Sequence, residues 1–232
     1  VKVTKIIASS RRGLFKHEQE YRRRIAELFD YDEALRRVED YTRTQTKELL
    51  DDIWDQLNRR LVELSKYLEG LFSTVYEHGG SKVMDKQGKF LRFATPTYKG
   101  AVGLLVKDNL LHVQKLANKQ REVMIKAIEQ GVKTGQTYNQ IAQTATAQAK
   151  DLAFKRARTI ARTEISRANS QAMMDVMKQN GISKYVWVAA TTGTPKPCPV
   201  CLNFHRKRYD IGNGPLPVKD THPNCRCVVV AA

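Results

Sequence analysis

The stretch AFKRARTIARTEISRANSQAMMDVMKQNGISKYVWVAA, residues 153–190, sets the architecture, because its periodicity changes once and at a definite place. From Ala153 to Gln179 small residues at Ala157, Ala161, Ala168 and Ala172 permit close helix approach, and Ile160, Ile165, Met173, Val176 and Met177 supply apolar contacts. Asn180-Gly181 is a helix stop. Beyond it Tyr185, Trp187 and Ala189 alternate with Val186, Val188 and Ala190, which predicts a strand, and no long helical pattern follows. A helical body therefore precedes a small, turn-rich terminal module.

Upstream, the clearest periodicity is a heptad seam. Leu50, Leu57, Leu64 and Leu71 recur seven apart, with Trp54, Leu61, Leu68 and Val75 four residues after each. Arg43 and Lys47 occupy the same positions earlier, so the predicted helix starts near Asp32 but packs tightly only from Leu49 and ends at His78, Gly79 and Gly80. Such a seam serves a hairpin or bundle within the chain, or oligomerisation and docking on a partner's helices; internal packing is favoured because a bundle needs little more than this pattern. Leu14 to Phe29 has helical spacing behind a mixed arm, Lys2 to Ser10, with Gly13 as the break. Residues 81–97 read as a loop or short hairpin. A further helix is predicted from Lys99 to Gln130, its apolar side being Leu105, Leu111, Leu116, Val123, Ile125 and Ile128, and Gly131 and Gly135 mark a turn. Thr137 to Lys150 is rich in Ala, Gln and Thr.

The fold class expected is α+β. A mainly α-helical, elongated N-terminal part with long antiparallel helices, residues 1–130, leads into a small α+β C-terminal module, residues 131–232, which holds a Cys/His cluster of zinc type. Among the 232 residues, 41% are hydrophobic and 28% charged, which suits helices better than one large round core. No stretch offers the ~18 apolar residues of a spanning helix, and the N-terminus has no signal-peptide pattern, so a membrane or secreted protein is disfavoured.

All four cysteines fall between residues 198 and 227, as Cys198-Pro-Val-Cys201 and His222-Pro-Asn-Cys225-Arg-Cys227. A C-x-x-C turn places two thiolates on one metal ion, and a second pair from a separate segment completes a tetrahedron. In an extended Cys225-Arg-Cys227 the two sulfurs share a face. Three ligand sets fit: all four cysteines, or Cys198, Cys201 and His222 with either Cys225 or Cys227. The competing readings are a pair of disulfides or four reduced thiols. A structural zinc is preferred, because a reducing compartment disfavours disulfides and the module has few large apolar residues of its own. Asp210, Asp220 and His205 lie in the intervening loop without forming a catalytic motif. His205, beside Arg206, Lys207 and Arg208, reads as a solvated loop residue. No phosphate-cradling or hydrolase signature is present, so the expectation is a non-enzyme with no catalytic and no further cofactor-binding residues.

Taken in order, Arg158 to Asn169 (RTIARTEISRAN), Gly181 to Trp187, Cys198-Pro-Val-Cys201 and His222-Pro-Asn-Cys225-Arg-Cys227 resemble the phage head morphogenesis family, also called phage Mu protein F-like minor head proteins. The resemblance covers roughly residues 130–230, including the Gly131–Gly135 turn and Tyr138 to Ala142, and its most specific part is the terminal H-P-N-C-R-C. It implies a virion structural protein present in few copies inside the head. Such a protein associates with the portal or the major capsid protein and acts in head assembly or genome delivery, having passed through the host cytoplasm during assembly. One departure is the acid that relatives often carry shortly before the first cysteine; here that turn reads Thr191-Thr-Gly-Thr-Pro-Lys-Pro197.

The formal charge is +16, divided as +4 over residues 1–30, −4 over 31–80 and +16 over 81–232. A basic portion that size suits a polyanion, and inside a phage head the polyanion is packaged double-stranded DNA, met without sequence reading. The acidic segment suits a protein partner. Arg156, Arg158, Arg162 and Arg167 spread over more than one helix face, and Arg162 and Glu164 fit equally well as buried partners that orient the module. Two alternatives remain: a free-standing zinc-containing nucleic-acid-binding module and, ranked last, a zinc-dependent nuclease.

Overall fold

A computed structural model describes residues 2–29, 46–85, 87–93, 98–191 and 196–232. Four long helices, α1 (Lys2–Leu28), α2 (Thr46–Gly80), α3 (Tyr98–Lys133) and α4 (Tyr138–Gln179), precede β1 (Lys184–Val188), the short α5 (Pro199–Phe204), β2 (Arg208–Asp210) and β3 (Val228–Ala231). The α+β class holds, helical first and mixed at the end. None of these helices is long and apolar enough to cross a membrane. By its contacts the chain forms two compact units: residues 1–20, 68–107 and 159–232 make one, and residues 21–67 and 108–158 the other.

In the second unit the helices run antiparallel. Tyr21 of α1 stands against Tyr67 of α2 with ring centroids 6.5 Å apart, and further along Arg60 reaches the carbonyls of Glu27 and Leu28. Gln120 of α3, wholly buried, donates to the Ala149 carbonyl of α4 at 2.8 Å. Buried Asn109 accepts from the Tyr21 hydroxyl. These two amides sit in the stripe that faces inward, Val102, Leu105, Asn109, Val113, Leu116, Gln120 and Met124; each makes a hydrogen bond there, while Asn109 Nδ2 is buried without one among the described residues. Leu111, expected on the apolar side, is half exposed instead.

In the first unit the end of α2 lies against α4, with the Tyr76 hydroxyl donating to Asp175 and Gln171 donating to the other carboxylate oxygen at 2.9 Å. Residues 83–91 form a short hairpin, Met84 bridging Phe90 and the Asp85 carboxylate accepting the N–H groups of Gln87 and Lys89. Asn180, just past α4, clamps this hairpin by exchanging two hydrogen bonds with the Arg92 backbone. The terminal sheet is antiparallel in the order β2-β1-β3, pairing Val186 with Arg208 on one side and with Val230 on the other. Tyr185, Trp187 and Val229 point into a core shared with Met173, Met174, Val176 and Met177 of α4.

Two boundaries differ from expectation. Helix α1 passes through Gly13 without a break, and α4 begins at Tyr138, so the Ala/Gln/Thr-rich stretch is its first third. The Thr137 N–H donates to Gln140 Oε1 at 2.9 Å and the Gln140 N–H faces Thr137 Oγ1 at 3.4 Å, a reciprocal capping box that starts the helix there. The predicted start of α2 near Asp32 and most of the Thr191–Pro197 turn lie outside the described residues.

Candidate metal centre

Cys198 is the N-cap of α5, extended at φ −69° and ψ 162°, and Pro199 follows in the first turn. Its sulfur accepts the Cys201 N–H at 3.4 Å, so the C-x-x-C turn aims a backbone amide at the first sulfur and carries the second, 1% exposed, inward. The other half comes from the segment entering β3. Cys225 and Cys227 are both buried, and Cys201 Sγ lies 3.7 Å from Cys225 Sγ and 3.3 Å from His222 Nε2.

These distances test the readings of the cluster. A tetrahedral zinc with bonds of about 2.3 Å to sulfur separates its sulfurs by roughly 3.8 Å, whereas a disulfide needs about 2.05 Å. The four cysteines are free, so the disulfide reading fails, and 3.7 Å suits both a shared metal ion and two reduced thiols in contact. His222 Nδ1 is 2.7 Å from the Pro223 carbonyl oxygen. That acceptor fixes the proton on Nδ1 and leaves the Nε2 lone pair facing Cys201, the orientation a metal-ligating imidazole takes. The donor atoms form two overlapping groups, Cys198, Cys201 and His222, and Cys201, Cys225 and Cys227, each within 4.8 Å. All five sequence-predicted candidates are thus brought together, with Cys201 common to both groups. The donor set fits a zinc-type cation.

Electrostatics within the cluster favours a single thiolate. The Cys227 thiol donates to Cys225 and, against burial, brings it down to about 5, helped by the Cys227 N–H, the Thr221 hydroxyl and the Val218 N–H. Burial and the charge of Cys225 push Cys201 up to about 12, and the bond to Cys225 together with burial raises Cys227. The Cys201 N–H lowers Cys198. For His222 burial acts downward, but the Pro223 carbonyl and the neighbouring sulfurs outweigh it and the net direction is up. Several buried thiols held near one charge are what a divalent cation would ionise together.

The segment bearing His222 and Cys225 is tied to α4 by three side chains on one helix face. Thr163 Oγ1 accepts the Asn224 N–H at 3.0 Å, Thr159 Oγ1 faces Asn224 Nδ2 at 3.4 Å, and the Ser166 hydroxyl donates to the Cys225 carbonyl at 2.9 Å. Asn224 holds φ +63°, a left-handed conformation that Asn tolerates better than most residues. Sequence reading passed over this stripe, although its spacing of four and then three residues places it on one face. Arg162 and Glu164 are not each other's partners: Arg162 pairs with Glu18 at 3.1 Å, and Glu164, 1% exposed, with Arg167 at 3.5 Å. His205 is half-buried rather than solvated, its Nδ1 accepting the Ala189 N–H at 3.0 Å. Asp220 accepts the Leu216 N–H, and Asp210 pairs with Lys184.

No curated protein and no solved structure matches the chain. Its residues 122–230 match the family described as Phage Mu protein F like protein. That range takes in the end of α3, all of α4, the Thr159-Thr163-Ser166 stripe, the sheet and every cysteine. Through this part, just under half of its length, the chain is similar to the phage Mu protein F-like family.

Proposed function

We propose that the chain is a phage minor head protein that resides inside the head, associated with the portal or the inner capsid and next to packaged DNA, and that it acts in head morphogenesis or genome delivery without catalysing a reaction. The observation that carries this reading is the family match over residues 122–230, which takes in α4, the loop that α4 holds through Thr163 and Ser166, and the terminal sheet. One zinc, ligated by four of Cys198, Cys201, His222, Cys225 and Cys227, would staple that unit; the ion supplies cross-linking, and the residues around it supply position.

The basic surplus of residues 81–232 is the part of the account that concerns DNA. A protein enclosed with the genome meets phosphate at very high local concentration, and cations there neutralise backbone without reading bases. Mass spectrometry of purified virions tests the proposal: the protein should be recovered in few copies per particle and copurify with the portal after disruption, and its absence from particles would contradict it. A nucleic-acid-binding module outside the virion would bind duplex DNA in a salt-dependent way yet be missing from particles. A nuclease would cleave DNA in the presence of divalent metal.

A further inference from the structure

The metal-side turn carries apolar surface that its own packing does not use. Within α5 Cys201 faces inward, while Val200 and Leu202 are 52% and 48% exposed. Single exposed aliphatics are ordinary on protein surfaces. These two, however, sit on a six-residue helix that is fastened on both sides, by the Cys201 N–H on Cys198 Sγ and by the Arg206 N–H on the Trp187 carbonyl at 2.8 Å. The backbone of the tip is therefore held in place, and little backbone freedom is left to lose on contact. Around it Lys196, Arg206, Lys207 and Arg208 are exposed, and no acid occurs from Lys196 to Tyr209.

We propose that this tip is a docking surface for a partner protein, fitting an acidic segment that carries apolar side chains: Val200 and Leu202 enter the apolar centre and the four cations line the rim. The charge pattern requires an anionic partner, and the aliphatic pair decides which kind. A phosphate backbone offers Val200 and Leu202 nothing to pack against. A bilayer would gain less hydrocarbon from two aliphatic side chains than from one myristoyl chain, itself a marginal anchor. A protein surface supplies both an apolar pocket and carboxylates, the usual anatomy of core and rim. The proposal rests on the head-protein reading, since the partner is then a head component.

The test uses heads assembled by phage lacking this gene and supplied in trans with the wild-type chain or with a Val200→Asp/Leu202→Asp variant, whose zinc content and melting are measured alongside. Incorporation per head should fall about tenfold or more for the variant, as expected for loss of a buried interface centre, and a Lys207→Glu/Arg208→Glu variant should show a smaller, salt-sensitive loss. Because Asp at the tip is a severe change, Val200→Ser/Leu202→Ser serves as the milder variant and should lose incorporation in the same direction. Equal incorporation of all variants and wild type overturns the docking surface and leaves the head-protein reading standing. Absence of wild type from heads overturns both. Loss of binding to a duplex DNA fragment or to anionic phospholipid vesicles, with incorporation unchanged, also overturns it. So does self-association of the isolated chain that the tip variants abolish.

Discussion

Thr163 Oγ1 accepts the backbone N–H of Asn224 at 3.0 Å, which joins the middle of a long helix to the loop between two candidate metal ligands, His222 and Cys225. Thr163 is only 8% exposed and Asn224 is held at positive φ, so the bond stands in for solvent at a place that solvent scarcely reaches. Replacing Thr163 by Val keeps the shape and removes the acceptor. The expected cost is about 1–2 kcal/mol, the penalty for a buried donor left without a partner, read by urea unfolding of the purified protein. Unchanged stability would show that the loop is positioned by other means.

Replacing both Cys198 and Cys201 by Ser removes one side of every ligand set that fits the site. A structural metal contributes its binding energy as folding energy, so the terminal module should unfold while the long helices persist. Near-ultraviolet circular dichroism, dominated there by buried Trp187 packed edge-on against Phe204, should collapse, with far-ultraviolet helix signal mostly retained. Loss of both signals together would mean that the module and the helices fold as one unit.

Two glycines of α2 should respond to alanine with opposite signs. A Cβ on Gly79 would lie 2.8 Å from Asn169 Oδ1 and 3.0 Å from the Asn169 carbonyl oxygen, the second of which belongs to the backbone and moves little. Gly79→Ala should therefore destabilise by about 1–3 kcal/mol through overpacking. Nothing lies within 4 Å of a Cβ on Gly70, and there the substitution should stabilise by about 0.5–1 kcal/mol from backbone entropy. Thermal unfolding of the two variants decides whether α2 and α4 approach as closely as the structure has them.

In metal-free protein one thiol should ionise near pH 5, since Cys225 is brought down to about 5 from an ordinary 9.0. A group whose folded value is depressed contributes stability that is fully present above the unfolded value and is lost as pH falls through the folded one. Metal-free stability from this group should therefore decline from about pH 9 to pH 5. Thiolate ultraviolet absorbance should show the low titration, Cys225→Ser should abolish it, and Cys227→Ala, which removes the donating thiol, should move it upward. A titration only in the ordinary thiol range would contradict the proposed hydrogen bonding.

Much of the fold is legible because a few strong patterns coincide with burial. The heptad leucines Leu57, Leu64 and Leu71, with Leu68 and Val75, are all buried, and Asn180-Gly181 ends α4 with Gly181 at φ +68°. The first third of α4 was not legible because, after Ile141, its inward stripe is built of small residues: Ala145 and Ala149 are buried and continue four apart into Ala153, Ala157 and Ala161. Four residues turn about 400° at 3.6 per turn, so such a stripe advances around the helix by about 40° each step, and a fixed-face apolar pattern fades. The capping box at Thr137 and Gln140 was the local signal that could have placed the start. Within the site, the five metal candidates follow from spacing alone. The α4 stripe that holds their loop does not, since threonines and a serine on a helix look solvent-facing until the element packed against them is known.

The metal content of the purified protein, set beside its unfolding with and without chelator, tests the proposal that a bound metal ion holds the terminal module together. One zinc per chain is predicted, with chelation lowering the melting temperature of the module and zinc restoring it. Protein that contains no zinc after preparation in metal-replete medium, and that melts identically with chelator and in the Cys198→Ser/Cys201→Ser variant, would contradict the account.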